Sequence, residues 1–362
     1  MSPNTPDNAT RWLNETGPDS DVVISSRVRL ARNLNGYPFL TKATHNQRRE
    51  ILATCKHRIQ ESHLAPQVHW IDLTDAIGVD RQLLVERHLI SRQHGQGKTP
   101  RGVAVSDDEC TAIMVNEEDH IRLQVLRSGF QFQDAYEQAD KVDDALERRL
   151  DFAFSTRLGY LTACPTNVGT GIRVSVMLHL PALKMTGEID KLRRAAKDMH
   201  LAIRGFHGEG TEAAGDLYQV SNQTTLGRSE SQILTDFGDV IIPKVIEYER
   251  KAREALASDR TFVLEDKVWR AWGTLCHARL LGSEEAMSLL SVVRLGIAMK
   301  RIEVSGVTTG TINEMLILTQ PAHLQKMAGQ VLDGPQRRRA RAEFVRNKLT
   351  GRNPPRQEFR DQ

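Results

Sequence analysis

Five arginines at strand-like positions, Arg27, Arg29, Arg122, Arg173 and Arg204, together with carboxylates in two of the same segments, could grip a phosphate chain and present a cation to it. A guanidinium is a planar fork of donors that meets phosphate oxygens two at a time and keeps its charge, so several converging on one place make a polyphosphate cradle. A carboxylate beside such a cradle can orient a cationic acceptor next to the phosphoryl group. Glu118 suits that task, because alternation puts Glu118, His120 and Arg122 on one face. Taken singly, each arginine would serve as readily in a surface ion pair, and Glu118 as a solvated turn carboxylate. Five at strand positions beside glycine-rich loops are not accounted for in that way.

These residues need elements to aim them. Val22-Val23-Ile24, followed by Arg27 and Arg29 alternating with Val28 and Leu30, reads as a strand with both arginines on one face. Strands are also predicted at 102–105, 111–115, 121–126, 172–180 and 201–206, and helices at 45–63, 80–93, 133–154 and 188–199. A glycine-rich stretch from Gly205 to Gly215 reads as a loop whose composition allows movement. From Ser229 onward the texture is helical, at 229–257, 264–281, 284–302, 311–331 and 337–349. The expected organisation is a flexible lead-in over 1–20, an α+β catalytic domain with a largely antiparallel sheet over 21–258, and an all-helical domain over 259–362.

Composition bounds the function. Of 362 residues 40% are hydrophobic and 26% charged, which is ordinary globular usage. No apolar run approaches the ~20 residues that cross a bilayer, and the first twenty residues lack the order of a signal peptide, so a cytoplasmic protein is expected. Of the four cysteines, Cys55, Cys110 and Cys276 read as small core residues, and none forms a Cys-x-x-Cys pair. The formal charge of +3 hides a basic tail: residues 335–362 carry eight Arg and one Lys against Glu343, Glu358 and Asp361. That tail suggests an acidic partner, though a solvated helix explains it equally well; no nucleic-acid module accompanies it. Two fragments mislead. Gly97-Lys98-Thr99 lacks the P-loop's earlier glycine, Arg92 standing there, and Asp236-Phe237-Gly238 lacks the other protein-kinase signatures.

The chemistry-bearing segments are Ser25-Ser26-Arg27-Val28-Arg29-Leu30-Ala31-Arg32-Asn33, Asn116-Glu117-Glu118-Asp119-His120-Ile121-Arg122, Cys164-Pro165-Thr166-Asn167-Val168-Gly169-Thr170-Gly171-Ile172-Arg173, and Arg204-Gly205-Phe206-His207-Gly208-Glu209-Gly210-Thr211-Glu212. In content, order and spacing they resemble the ATP:guanido phosphotransferase family, which includes the creatine and arginine kinases, and within it the bacterial protein arginine kinases most of all. The resemblance implies the guanido kinase catalytic fold and an ATP-binding set: Ser25, Ser26, Arg27, Val28, Arg29, His88 against the adenine, Arg122, Arg173, Val174, Ser175, Val176, Met177, Arg204, Gly205, Phe206, His207 and Gly208. It implies that Glu118 and Glu209 hold the acceptor guanidinium, with Glu118 as first choice of base, and that the Cys164 thiolate helps place it. Mg²⁺ is expected to ride mainly on the nucleotide, with no metal site built from side chains.

The resemblance also bears on the acceptor. Small-molecule members carry a helical domain of about a hundred residues before the first arginine strand; only about twenty residues precede Asp21 here, so an open acceptor side that admits proteins is expected. The family's Arg-Asp-x-x-Arg-Ala motif reads Arg337-Arg338-Arg339-Ala340-Arg341-Ala342 in this chain. Arg337, Arg338 and Arg341 could still bind phosphoarginine or an acidic partner, but the aspartate that would contact a modified guanidinium is Arg338. His207 stands where the family has a tyrosine. The implied activity is phosphorylation of arginine residues in proteins, in quality control or stress response. An activator protein, a Clp-type protease system and a homodimer are implied with it. A kinase for free arginine or another small guanidine and a non-catalytic phosphoarginine binder are the alternatives. The intact Glu118, Glu209 and arginine set speaks against the binder.

Overall fold

The computed structural model describes residues 10–14, 17–64, 67–205, 214–259 and 261–351. Ten strands occur among them: β1 (Val23–Arg32), β2 (Val68–Asp72), β3 (Gly102–Ser106), β4 (Thr111–Val115), β5 (Ile121–Ser128), β6 (Phe154–Ser155), β7 (Gly159–Tyr160), β8 (Ile172–His179), β9 (Leu201–Gly205) and β10 (Leu217–Asn222). β6 and β7 form a small hairpin; the other eight make one sheet, in the order β2-β3-β4-β5-β1-β8-β10-β9. Every neighbouring pair in it runs antiparallel.

Register gives the sheet two unlike faces. In β1, Val28 opposes Val125 and Val174, and Leu30 opposes Leu123 and Ile172. All six are buried, and α5 (Phe132–Glu147) packs on β1 and β5. Each such side chain contributes roughly 1.5–3 kcal/mol of transfer free energy. The residues between them point the other way: Arg27 opposes Leu126 and Ser175, and Arg29 opposes Gln124 and Arg173. The sheet is thus apolar on its α5 side; the other side is cationic across β1, β5 and β8 and apolar across β3 and β4, where Val103, Val105, Ala112 and Met114 pack with Leu84, Leu89 and Ile90.

Helices close the ends and carry the rest of the chain. In the front part these are α1 (Arg11–Asn14), α2 (His45–Glu61), α3 (Gly78–Glu86), α4 (Arg92–Gln96), α6 (Pro181–Met185), α7 (Ile189–Asp198), α8 (Glu230–Thr235) and α9 (Ile242–Asp259). Then come α10 (Thr261–His277), α11 (Ser283–Ala298), α12 (Thr309–Leu318), α13 (Pro321–Ala328) and α14 (Gly334–Thr350). Local signals start several of them: Thr44 with Gln47, Ser229 with Gln232 and Asp333 with Gln336 form reciprocal capping boxes.

Several expectations need correction. The lead-in is not wholly loose: α1 buries Trp12 and Leu13 against β5 and α12. The helix expected over 80–93 breaks between α3 and α4, where His88 turns at φ +58°. The one expected over 311–331 divides at Thr319 and Gln320, since Pro321 opens a new first turn. β2 and β10 were not foreseen. Both misleading fragments have packing explanations. A side chain at Gly97 would fall 1.8 Å from the Arg101 guanidinium, and one at Gly238 1.8 Å from the Phe132 ring. No helix among the described residues is long and apolar enough to cross a membrane.

Candidate active site

The cationic face gathers the predicted arginines. Arg27 and Arg29 come from β1, Arg122 from β5, Arg173 from β8 and Arg204 from β9. Register carries the same face across β10, where Gln219 opposes both Met177 and Arg204. Together they line a cleft of about 290 Å³, shared with His88, Ser91, Glu117, Glu118 and Gln124. Like charges crowd here. Burial first, then Arg122, Arg173 and Arg204, push the Arg27 guanidinium down to about 9. Arg29 falls well below its ordinary range for the same reasons, with Arg27 foremost among its cationic neighbours. Its Nε and Nη2 are buried with no hydrogen-bond acceptor. Buried donors left in that state are costly, and an anion in the cleft would satisfy them. Polyphosphate therefore fits this face.

Beside the cleft runs a narrow slot lined by Trp12, Ile24, Ser25, Leu126, Ser175 and Met177, which shares Arg27, His88 and Gln219 with it. The Trp12 and His88 rings meet edge to face, 5.9 Å apart. The slot's walls are mostly apolar and leave about 20 Å³ free, so an aromatic base would have to widen it; it meets the arginine face at Arg27.

The structure divides the predicted nucleotide set. Ser25, Arg27, Arg29, His88, Arg122, Arg173, Ser175, Met177 and Arg204 face the cleft or slot. Val28, Val174 and Val176 do not: the pleat turns them into the core. Ser26 also points away, its hydroxyl donating to Gly129 O at 2.8 Å and accepting from the Gln131 amide. Gly205 ends β9 opposite Tyr218. Phe206, His207, Gly208 and Glu209 lie outside the described residues.

The turn at residues 116–120 corrects the expected alternation. Asn116 adopts φ +62°, and its amide donates to His120 O, so the chain doubles back instead of running on as a strand. His120 is buried elsewhere, with Nδ1 accepting from the Leu34 amide and Nε2 against Pro38 O. It is Glu117 that pairs with Arg122, at 2.7 Å, and it also accepts from the Ser91 hydroxyl. Although burial opposes ionisation, Arg122 and these hydrogen bonds draw Glu117 down to about 2, so it is a fixed anion. Glu118 is its opposite: half-buried, with its pKa raised by burial and then by Asp119. It can take up a proton.

Asp119 joins this turn to the next loop by accepting from Asn33 Nδ2 and the Ala163 amide, both at 2.6 Å. Cys164 follows directly, half-buried, with Sγ 3.0 Å from Thr166 Oγ1. Thr225 fixes the loop's far side through Thr166 O and Val168 O. Arg32, though in the arginine run of β1, is a strut: it is buried against Asp143, donates to Thr170 O and lies 3.6 Å over the Tyr160 ring.

Several lining residues went unpredicted. Gln124 and Gln219 follow from strand alternation once β5 and β10 are in register, and Ser91 and Glu117 from the turns beside them. Nothing in the sequence singles out Trp12. On α14 the proposed partner site is split. Arg341 is buried, donating from Nε to Thr319 O and from Nη1 to Leu281 O, and Arg337 donates to Leu332 O. Arg338 is exposed. Arg341 is thus a structural clamp, because its guanidinium satisfies carbonyls that would otherwise be buried unpaired.

Two family models match the chain. Residues 50–252 match the family described as ATP:guanido phosphotransferase, C-terminal catalytic domain, and residues 261–360 match the Protein-arginine kinase McsB C-terminal domain. The chain is 46% identical over 344 residues to the protein-arginine kinase of Symbiobacterium thermophilum, covering 94% of this chain and 97% of that one. It is 44% identical over 342 residues to that of Halothermothrix orenii, with the same coverage of 94% and 97%. Among solved structures, the duplicated taurocyamine kinase of Schistosoma mansoni superposes with a TM-score of 0.60 at 26% identity, over 68% of this chain and 37% of that one. A lombricine kinase does so at 0.56 and 23%, over 68% and 72%, a likeness of fold.

Proposed function

The chain belongs to the ATP:guanido phosphotransferase family, and from that premise and the arginine-lined cleft we infer that it transfers the γ-phosphoryl group of ATP to the guanidinium of arginine residues in proteins. It is an ATP-dependent protein-arginine kinase. The observation that carries the chemistry is the convergence of Arg27, Arg29, Arg122, Arg173 and Arg204 on one sheet face beside Glu118, a half-buried carboxylate whose pKa is raised by burial and by Asp119. The protein acceptor is supported by relatives of that name along nearly the whole chain and by the match over 261–360.

The residues divide the work. The five arginines hold the triphosphate and offset the charge that builds on it in transfer. Mg²⁺, travelling with the nucleotide, supplies further charge neutralisation at the β and γ phosphates when bound. Trp12 and His88 wall the base. A protonated guanidinium is a poor nucleophile, so one of its N–H protons passes to Glu118 as the N–P bond forms and the bond from the γ phosphorus to the bridging oxygen breaks, the electron pair leaving with ADP. Glu118 suits this because its raised pKa makes it a stronger base than Glu117, which is committed to Arg122. Cys164 and Glu209 complete the guanidinium's surroundings in this reading, which for both rests on the family resemblance. So do a cytoplasmic stress-response role, an activator protein, a Clp-type protease system and a homodimer; co-purification and light scattering check the partners.

The test is incubation with MgATP and an unfolded arginine-rich protein, followed by mass spectrometry. Acid-labile, base-stable phosphate on arginine is the expected product, and its absence from both enzyme and substrate overturns the reading. Turnover of free arginine with no protein product would assign the small-guanidine activity instead. Glu118→Gln is expected to bind ATP normally and lose at least a hundredfold in kcat, on the order of what a positioned base supplies. Because the base must be ionised, activity falls as pH drops through the Glu118 pKa. The acid limb of kcat/KM should therefore lie above the ~4.3 of an ordinary glutamate. Normal turnover by Glu118→Gln removes it from the base role.

A further inference from the structure

The base slot borrows its support from the far end of the chain. Glu86, Arg87 and His88 are consecutive, and only His88 faces the slot. Glu86 is buried under the N-terminus of α13. Its carboxylate accepts from the Ala322 amide at 2.9 and 3.1 Å, from the His323 amide at 3.1 Å and from His323 Nδ1 at 2.9 Å. An α-helix leaves its first amides without intrahelical partners, and a carboxylate there meets both those donors and the positive end of the helix dipole. Here the cap comes from a residue 236 positions away in sequence.

Arg87 is held by the same histidine. Its Nε donates to His323 Nε2 at 3.3 Å, and its Nη1 pairs with Glu109 at 2.6 Å. With Nδ1–H donating to Glu86 and Nε2 accepting from Arg87, the His323 ring is the neutral tautomer and bridges both residues. His88 comes next, at φ +58°, a backbone conformation that a non-glycine residue keeps only where its surroundings impose it. Gln124 adds a hold from the sheet, donating to His88 O at 2.7 Å and Leu89 O at 3.0 Å. The adjoining wall has similar backing, since Trp12, in edge-to-face contact with His88, sits on α1, which packs on α12. One wall of the slot therefore leans on α12 and its neighbour is bolted to α13.

We propose that Glu86 and His323 are positioning residues for the adenine base: by capping α13 and clamping Arg87, they hold the His88 turn in the shape that walls the slot. The proposal rests on the reading of this slot as the base site. Neither residue faces the slot, so both act through His88. The helical C-terminal region thereby sets nucleotide affinity without contributing a group to the phosphate cradle.

The experiment uses the full chain and two competing ligands, ATP and inorganic tripolyphosphate, which keeps the phosphates and lacks the base. Dissociation constants are measured by displacement of a fluorescent ADP analogue for wild type, Glu86→Gln, His323→Ala and His88→Ala. His323→Asn, which keeps a donor toward Glu86, is the milder variant should His323→Ala not fold. Glu86→Gln and the His323 variants are expected to weaken ATP roughly threefold to tenfold, the worth of one ring contact. Tripolyphosphate affinity and the KM for the protein acceptor should stay within about twofold of wild type on the same scale. Wild-type ATP affinity in the Glu86 and His323 variants, or equal loss of ATP and tripolyphosphate, overturns the positioning role. Unchanged ATP affinity in His88→Ala refutes the base-slot reading itself, a result distinct from the other two.

Discussion

Arg29 shows at the scale of one residue how this site is paid for. It is 8% exposed, surrounded by other guanidinium groups, and keeps two buried N–H donors without an acceptor. Such a residue lowers the stability of the empty protein and serves it only when an anion arrives. Arg29→Met is therefore expected to act in two directions. ATP binding weakens by about tenfold to a hundredfold, the loss of one or two charge-assisted hydrogen bonds. The urea midpoint rises, by an amount equivalent to about 1–3 kcal/mol. A titration and an unfolding curve on the same preparation check both, and a destabilised variant contradicts the account. Of the neighbouring glutamates, alternation points to Glu118 as the partner on the Arg122 face and passes over Glu117. Which of them would bind Arg122 depended on Asn116 adopting φ +62°, and strand periodicity carries no signal for a turn that doubles back between two strands.

The elements were the most readable level where one periodicity ran unbroken. β3, β4 and β5 appear within two residues of their expected ends, because alternation bounded by polar turns marks a hairpin directly. β10 was lost beside a glycine-rich stretch, although Tyr218, Val220 and their alternate partners carry the pattern of a strand. Helix ends were overrun where a cap or a proline outvoted an apolar stripe, as at Gln320 before Pro321. The π-helical turn Asp236–Ile241 brings Gly238 against Phe132, leaving no room for a methyl group. Gly238→Ala should cost about 1–3 kcal/mol by overpacking, read as a lower urea midpoint at unchanged slope. ATP affinity below the transition should be unaffected, as no lining residue of the cleft lies on this turn.

Across the whole molecule, the front sheet and the rear helices share one apolar cluster, running from Trp12 to Leu349. Buried polar links cross the same junction. Arg294 of α11 donates to Asn313 Oδ1 at 2.7 Å, to His179 Nδ1 and Asp21 O at 2.9 Å, and to Ser20 O at 2.6 Å. Burial, and then Arg294 and Arg253, keep His179 neutral, well below its ordinary range, so its Nδ1 can accept. Arg294→Met removes three donor nitrogens from four buried or partly buried acceptors at once, and a loss on the order of 3–5 kcal/mol is expected. Calorimetry should show one lowered transition spanning both parts; two separate transitions would mean that they fold independently. None of this coupling was visible in the sequence, where the texture changes near Ser258 as though one unit ended and another began. The capped helix above Glu86 has a consequence for descent. A recombination event at that seam would hand on a tidy cassette of helices, yet the recipient would also need a carboxylate waiting at the place of Glu86 and carbonyls at the place of Asp21. The segment that can be inherited as a block is smaller than the segment that must change together.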